Sequence, residues 1–349
     1  MMNMQFNPLQ DHPTWEKIQD LARGANGFVI LARNKGTGKE HALKFVERGQ
    51  KITNHVEREI LNHKKLQHPY VIELEAVFRT DGYLVLILEY ANGGSLRKYL
   101  ASKGALAESE ARNYFQQLML AVDYCHKLGV SSRDIKPDNI LLNDNNEVKL
   151  ADFGYSKDES MQSLANTRLG TPAYTAPEIF RIQPGGRQSY DAKAVDVWSC
   201  GVTLYQMLCA ELPFKKPGDV QRKHSVRSEL MMNRLLNGEF DFPQEIPLSD
   251  DVKDLLRCML NTDPKARMTV KEISKHPWFQ PGLAKGAMII NNMHATESRQ
   301  YPPNSEEVNL IKSIIREAQT TVTQAHDGGG GVNKLVSCDM ESLLSERYD

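Results

Sequence analysis

The first quarter of the chain alternates short apolar runs with glycine-containing turns, a pattern typical of β-strands. A helical spacing of apolar residues interrupts it at 54–66, where Val56, Ile60 and His63 fall on one face. This part is therefore predicted to be a small β-rich unit with one helix. The predicted strands cover residues 28–32, 42–46, 74–79 and 83–89.

From about residue 95 the apolar spacing becomes helical. Residues 108–128 follow an amphipathic pattern, and residues 194–208 are apolar almost all round, as expected for a helix buried inside a domain. A β-rich lobe followed by a larger helical lobe predicts an α+β, bilobal fold. Beyond Phe279, prolines and glycines mark a polar tail, which we expect to be flexible apart from one helix at 305–318.

Composition narrows the class of protein without indicating a partner. The chain has 349 residues and a net charge of −1, so bulk charge suggests binding neither to nucleic acid nor to a membrane surface. The five cysteines include no C-x-x-C pair, which favours reduced thiols over a disulfide or metal framework. The sequence has no signal peptide and no apolar run of membrane-spanning length. We expect a cytoplasmic or nuclear protein.

A glycine pair near the N-terminus is a weak candidate for phosphate binding. Gly24, Gly27 and Val29 match the last positions of a G-x-G-x-x-G-x-V loop, although the first glycine position is Ala22. Glycines in such a loop let backbone N–H groups approach phosphate oxygens. Two glycines three apart are also common in ordinary hairpins, so the pair alone does not establish a phosphate site.

Two charged residues follow the glycine pair, one on a predicted strand and one on the next predicted helix. Lys44 lies within the apolar strand at 42–46, fifteen residues after Val29, and Glu59 lies on the next predicted helix. A strand lysine can reach α- and β-phosphates when a carboxylate holds it. We therefore predict an ion pair between Lys44 and Glu59.

Polar residues at 132–139, Ser-Arg-Asp-Ile-Lys-Pro-Asp-Asn, precede two short apolar strands. Asp134 suits a base that orients an attacking hydroxyl, and Lys136 suits a contact with the γ-phosphate. Asn139 and Asp152 offer an amide and a carboxylate oxygen, which are the hard ligands that Mg²⁺ takes from proteins. Phosphoryl transfer needs positioning and charge neutralisation more than covalent help, so these few groups suffice.

Taken together in this order, these motifs resemble a eukaryotic protein kinase. The resemblance covers residues 15–280 and implies an N-lobe at 15–91, a C-lobe at 92–280, an N-terminal extension at 1–14 and a regulatory tail at 281–349. It implies ATP and Mg²⁺ as cofactors. Three further residues match structural positions of the family: Asp196 braces the catalytic loop, and Glu178 of Ala-Pro-Glu pairs with Arg267.

The resemblance also assigns an adenine pocket. Val29, Ala42 and Leu141 would sandwich the ring, and Leu88 would lie behind it. Glu89 and Ala91 would offer backbone groups to its edge.

Lys136 in the 132–139 loop and Thr171 in Gly-Thr-Pro resemble the residues of serine/threonine kinases at these positions, not those of tyrosine kinases. Thr171 would close the site around a short hydroxyl side chain. Arg133 beside the catalytic aspartate can pair with a phosphate on the activation segment. We predict Thr167 as that phosphosite, with Ser163 second, which implies an upstream kinase and a phosphatase as partners beside the protein substrates.

At finer grain the chain resembles the second subfamily of plant sucrose-non-fermenting-related kinases, the osmotic-stress group. The evidence includes 152–157, Asp-Phe-Gly-Tyr-Ser-Lys, and the helix at 305–318, whose stripe Val308, Ile311, Ile315 and Ala318 resembles that subfamily's regulatory helix. The resemblance implies a role in stress or nutrient signalling and a helix that braces the one carrying Glu59.

Three departures from the family pattern qualify these expectations. Ser132 replaces a histidine that supports the phenylalanine matching Phe153, so we expect looser support there. Ser95 replaces a glutamate that helps recognise basic residues of the target. The far tail, residues 339–349, has only four acidic residues and one arginine.

Two alternatives remain open at this point. A pseudokinase scaffold would bind ATP or partners without transfer, and Ala22 and Ser132 motivate it. A calcium/calmodulin-dependent kinase would want a basic amphipathic helix after the domain, whereas 305–318 is slightly acidic.

Overall fold

A computed structural model describes residues 7–24, 27–153, 172–182, 190–219 and 221–320. The N-terminal lobe is a five-stranded antiparallel sheet in the order β1-β2-β3-β5-β4 with one helix, α1, beside it. Thr53 caps α1 by accepting a hydrogen bond from Val56 N. The elements are β1 (Trp15–Gly24), β2 (Gly27–Asn34), β3 (Glu40–Glu47), α1 (Asn54–Lys64), β4 (Leu74–Arg79) and β5 (Tyr83–Glu89).

The C-terminal lobe is mainly helical and carries a small three-stranded sheet in the order β6-β7-β8. Its strands are β6 (Gly94–Ser95), β7 (Ile140–Leu142) and β8 (Val148–Leu150). Short 3₁₀ turns lie at Pro172–Tyr174 and Pro217–Asp219. The helices are α2 (Leu96–Lys103), α3 (Glu108–Lys127), α4 (Pro177–Phe180), α5 (Ala192–Cys209), α6 (His224–Asn237), α7 (Asp250–Met259) and α8 (Val270–Ile273).

Helix α5 forms the centre of this lobe, as its apolar sequence predicts. Trp198 is fully buried and stacks on Phe214 with ring centroids 5.5 Å apart. Gly201 lets α7 approach, since a Cβ there would lie 3.0 Å from the Leu260 side chain. The lobe therefore holds α5, and any polar residue on it, in a fixed position.

Strand β1 and helix α9 (Ala287–Gln300) are absent from the elements named from the sequence. Most of β1 is exposed, so its apolar residues show no clear alternation. Helix α9 corrects the expectation of a tail flexible outside 305–318. Its buried face includes Asn291, which hydrogen-bonds Asp123 at 2.7 Å and His68 at 2.8 Å, whereas Ile289 and Met293 are exposed.

The last described helix, α10 (Ser305–Gln319), returns to the N-terminal lobe and packs against α1 and β4. Ile311, Ile315 and Ala318 are buried in the main core. Polar contacts fix both of its ends: Glu307 pairs with Lys64 at 2.7 Å, and the Ala318 carbonyl accepts from Gly49 N at 2.9 Å. Helix α10 is thus an integral part of the N-terminal lobe.

No helix in the described ranges is both long and apolar enough to cross a membrane.

Candidate active site

One buried carboxylate, that of Asp196, holds the backbone of the loop at 132–139. Asp196 on α5 accepts hydrogen bonds from Ser132 N at 3.0 Å, Arg133 N at 2.7 Å and His126 Nε2 at 2.8 Å. Its exposed fraction is 1 %, and a buried charge needs such partners. The three donors fix the loop backbone, in which Arg133 adopts a left-handed φ of 60°.

The polar side chains of this loop converge on Asp134. Its Oδ2 accepts from Lys136 Nζ at 2.8 Å and from Asn139 Nδ2 at 2.8 Å. Asn139 Nδ2 also donates to the Asp134 carbonyl at 2.9 Å. With its nitrogen engaged in this way, the amide oxygen of Asn139 is the atom that can ligate a cation.

Lys44 contacts Asp152, which follows β8. Its Nζ is 3.0 Å from Asp152 Oδ1. The residue register places Lys44 beside Val29 of β2, and Ala42 two residues earlier on the same face of β3. The strand therefore brings an ammonium group and an apolar patch to one face of the cleft.

The predicted ion pair between Lys44 and Glu59 is not among the ion pairs that the structure shows within its described ranges. Glu59 Oε1 instead lies 3.0 Å from His55 Nε2, one helical turn away. Glu59 Oε2 is buried and has no hydrogen-bond partner in the described part of the chain. Burial is the main reason why the pKa of Glu59 rises to about 7, with the Asp152 charge adding to the rise.

The assigned adenine-pocket residues lie at half-buried positions of β2, β3 and β7. Val29, Ala42 and Leu141 are each neither fully buried nor exposed, and Ala42 pairs in register with Leu88. Glu89 N donates to the Glu73 carbonyl at 3.0 Å, which leaves the carbonyl of Glu89 as its backbone group for a ligand.

The Glu89 side chain pairs with Lys149 at 2.5 Å. Ala91, which follows at the start of the C-terminal lobe, is buried.

Gly24 and Gly27 face each other at the end of the β1–β2 hairpin. Gly27 has a φ of 139°, and a Cβ there would lie 1.9 Å from the Phe45 carbonyl oxygen. Only glycine fits this position without moving β3. The hairpin tip is consistent with a loop whose backbone closes over phosphates.

A bidentate ion pair ties α4 to the C-terminal lobe. Arg267 Nη1 and Nη2 lie 2.7 Å and 2.8 Å from the two carboxylate oxygens of Glu178. The Arg267 side chain is fully buried, lies over the Trp198 ring and also donates to the Ala194 carbonyl. This geometry suits a structural role.

Phe153 supports the site from the side of α1. It is buried and its ring lies 4.7 Å from that of His63. Ser132, below the loop, is also buried, and its hydroxyl has no hydrogen-bond partner within the described ranges. The looser support expected from Ser132 stays a prediction, since what the structure shows is an unpartnered hydroxyl in those ranges and a Phe153 ring that packs on His63.

Two histidines with a place in this site were not singled out from the sequence. His55 could have been found from its i,i+4 spacing to Glu59, whereas His126 shows no signal that distinguishes it from other residues of α3. Three predicted residues, Thr167, Ser163 and Thr171, lie outside the described residues.

A metal would have few protein ligands here. The described ranges contain no cluster of three or more His, Cys, Asp or Glu residues that could hold a metal ion. Asp152 and Asn139 fit the small oxygen set of a Mg²⁺ ion that takes its other ligands from phosphate and water.

Comparison with known proteins decides the family. The model of the protein kinase domain matches residues 15–279. The chain belongs to the protein kinase family. The bilobal α+β fold agrees with that assignment.

Full-length relatives agree with this assignment. Serine/threonine-protein kinase SRK2F of Arabidopsis thaliana is 38 % identical over 325 residues, which cover 90 % of this chain and 89 % of that protein. Serine/threonine-protein kinase SAPK3 of rice (Oryza sativa subsp. indica) is 38 % identical over 339 residues, covering 96 % and 98 %. Serine/threonine-protein kinase SRK2A of the moss Physcomitrium patens is 36 % identical over 325 residues, covering 92 % and 90 %. These relatives confirm the resemblance to the second subfamily of sucrose-non-fermenting-related kinases.

Proposed function

We propose that this chain transfers the γ-phosphate of ATP to serine or threonine hydroxyls of protein substrates. The observation that carries the proposal is the convergence of Lys136 Nζ and Asn139 Nδ2 on one oxygen of Asp134. The three side chains form a compact polar group, which suits the positioning and charge neutralisation that phosphoryl transfer requires. The serine/threonine kinases that align over most of the chain support the same reaction.

Each residue has a distinct task in this proposal. Asp134 orients the substrate hydroxyl and accepts its proton, while Lys136 neutralises charge on the transferred group. Lys44 holds the α- and β-phosphates, and Asp152 with Asn139 holds Mg²⁺. The metal, when bound, would supply positive charge that neutralises the phosphates.

The Lys44–Asp152 ion pair also fits this scheme. The ammonium group and the carboxylate neutralise each other at 3.0 Å. With ATP and Mg²⁺ bound, Lys44 would hold phosphate and Asp152 would hold the cation, so the two side chains would no longer depend on each other for neutralisation. Glu59 would then take Lys44 as its partner.

Stress or nutrient signalling is the cellular role we propose. The resemblance of α10 and of the motif at 152–157 to the second sucrose-non-fermenting-related subfamily supports it.

A radiolabelled-ATP assay with a generic protein substrate tests the transfer. Asp134→Asn should lower the rate by about 10²- to 10⁴-fold, the usual contribution of a positioned base. Asp138→Asn is the matched control, because Asp138 is in the same loop but its half-exposed side chain only pairs with Arg97 at 3.4 Å. Equal, background-level transfer by the wild type and by Asp134→Asn would reject the enzyme and favour a pseudokinase scaffold.

Control by phosphorylation is a second part of the proposal. Arg133 is exposed beside Asp134 and can pair with a phosphate in bidentate fashion. We propose Thr167 as the site that an upstream kinase modifies and a phosphatase clears, with Ser163 second. In the same assay Thr167→Ala should lower activity well below that of Ser163→Ala, and unchanged activity of Thr167→Ala would retire that site.

A further inference from the structure

A groove of about 530 Å³ lies between α1 and α10, on the side of α1 that faces away from the active-site cleft. Four of its lining side chains are basic: Arg58 and Lys65 on α1, and Lys312 and Arg316 on α10. Its single acidic lining residue is Glu57. We call this surface the basic groove.

Most of this positive charge is not neutralised within the lobe. Lys65, Lys312 and Arg316 form no ion pair with any residue that the structure describes, and Lys65 Nζ reaches only the Asn62 amide oxygen at 3.5 Å. Two of the three acidic residues of α10 are committed elsewhere: Glu307 pairs with Lys64, and Glu317 pairs with Arg79 at 2.6 Å. A concave surface with one sign of charge concentrates counter-charge.

The chain itself contains a segment of the complementary chemistry. Residues 339–349 read Asp-Met-Glu-Ser-Leu-Leu-Ser-Glu-Arg-Tyr-Asp, with four acidic residues and one arginine. Met340, Leu343 and Leu344 are spaced i, i+3, i+4, and the groove offers partly buried Leu61 as an apolar contact. We propose that the basic groove binds this acidic C-terminal segment of the same chain.

The connection is long enough and begins at the groove. Gln319, the last residue of α10, lines the groove, and nineteen residues separate it from Asp339. Four of these are consecutive glycines at 328–331. Nineteen residues with the dimensions of a glycine-rich linker would span about 24 Å on average, comparable to the roughly 22 Å length of α10. An intramolecular segment is present at an effective concentration in the millimolar range, so weak individual contacts suffice.

Binding there would add contacts to both walls of the groove. One wall is α1, which carries Glu59, and the other is α10, which packs on α1. The inference is independent of phosphoryl transfer, because it rests on charge and connectivity and its test measures proximity.

Disulfide trapping in the dilute, full-length protein tests the proposal. Cys338 immediately precedes the acidic segment, and the other four cysteines are buried or partly buried. Asn62→Cys places a second thiol in the groove. After mild oxidation, peptide mass spectrometry should find the 62–338 disulfide at least fivefold more often than the 293–338 disulfide of the control Met293→Cys, which presents an exposed position on the apolar face of α9.

Charge reversal provides the second arm. In the Asn62→Cys background, the double substitution Lys312→Glu and Arg316→Glu should lower the yield of the disulfide roughly fivefold, as expected for the loss of two exposed ion pairs. Lys265→Glu with Lys285→Glu is the control, since both lysines are exposed and neither lines the groove. If the α10 variant has a lowered melting temperature, Glu341→Lys with Glu346→Lys makes the same test from the tail.

Three results would overturn the proposal. The first is an equal yield of disulfide at positions 62 and 293. The second is a yield unaffected by reversal on both sides. The third is a disulfide that forms between molecules and increases with protein concentration, because the occupant would then be a second copy of the chain.

Discussion

Two buried carboxylates, Asp196 and Glu59, support opposite sides of the same cleft, and the structure satisfies only one of them. Asp196 accepts three hydrogen bonds, two of them from the backbone of the catalytic loop. Glu59 reaches only His55 with one oxygen, and its other oxygen is buried without a partner in the described ranges. On the C-lobe side the hydrogen bonds that hold the site are therefore formed. On the N-lobe side the predicted Lys44–Glu59 ion pair is not among those that the structure shows in its described ranges.

The difference follows from what each carboxylate is attached to. Asp196 is on α5, which is packed on all sides and cannot shift without disturbing the core. Glu59 is on α1, which packs by Val56 and Ile60 on one face and presents another to the basic groove. A helix with one face open to a groove can move relative to the sheet. We therefore expect the position of α1 to set the distance between Lys44 and Glu59.

The largest effect on the free energy of unfolding is expected from a substitution of Asp196, the carboxylate whose hydrogen bonds are formed. Asp196→Asn keeps the shape of the side chain but leaves it one acceptor oxygen and introduces an amide N–H₂ group toward buried donors. Because each buried donor left unpaired costs about 1–3 kcal/mol, we expect the free energy of unfolding to fall by about 3 kcal/mol or more. Chemical denaturation measures it.

Asp254→Asn is the control for that substitution. Asp254 also faces a histidine, at 3.3 Å, but 67 % of its side chain is exposed. Its replacement should change the unfolding free energy by less than about 0.5 kcal/mol. Equal effects of the two substitutions would contradict the view that Asp196 organises the loop.

A smaller, pH-dependent effect is expected on the unsatisfied side. The pKa of Glu59 is raised to about 7 in the folded protein, chiefly by burial. Between its unfolded pKa near 4.5 and about pH 7 the folded protein binds more protons than the unfolded chain, so this group makes stability fall as pH rises through that window. Glu59→Gln removes the slope, and the variant should exceed the wild type by about 1–2 kcal/mol at pH 8 after allowance for solvent screening.

Denaturation curves at several pH values give the difference between variant and wild type. Glu57→Gln, two residues earlier on α1, controls for removal of a negative charge from the same helix. A Glu59→Gln difference that stays constant from pH 4.5 to pH 8 would show that Glu59 is already paired or solvated, and the contrast with Asp196 would disappear.

The features that the sequence predicts best are those encoded in consecutive residues. The polar run at 132–139 and the Asp152 motif are local patterns. The apolar composition of α5 likewise predicts that this helix is buried. The pairing of Glu59 could not be predicted in the same way, because it depends on the position of α1 relative to β3, which side-chain packing sets over long distances in sequence. Helix α9 was missed because its buried face carries Asn291 and its exposed face carries isoleucines, the reverse of the usual pattern.

The smallest expected effect concerns Ser132, whose backbone N–H donates to Asp196. Its buried hydroxyl has no partner in the described residues, so it costs desolvation without a compensating hydrogen bond. Ser132→Ala should leave the unfolding free energy unchanged or raise it by up to about 1 kcal/mol. Ser199→Ala is the matched control, because the Ser199 hydroxyl is equally buried but donates to the Tyr174 carbonyl at 2.8 Å, and its loss should cost about 1 kcal/mol. If Ser132→Ala were as destabilising as Ser199→Ala, the hydroxyl would have a partner after all, and the departure from the family's histidine would be a substitution of one hydrogen-bonded support by another.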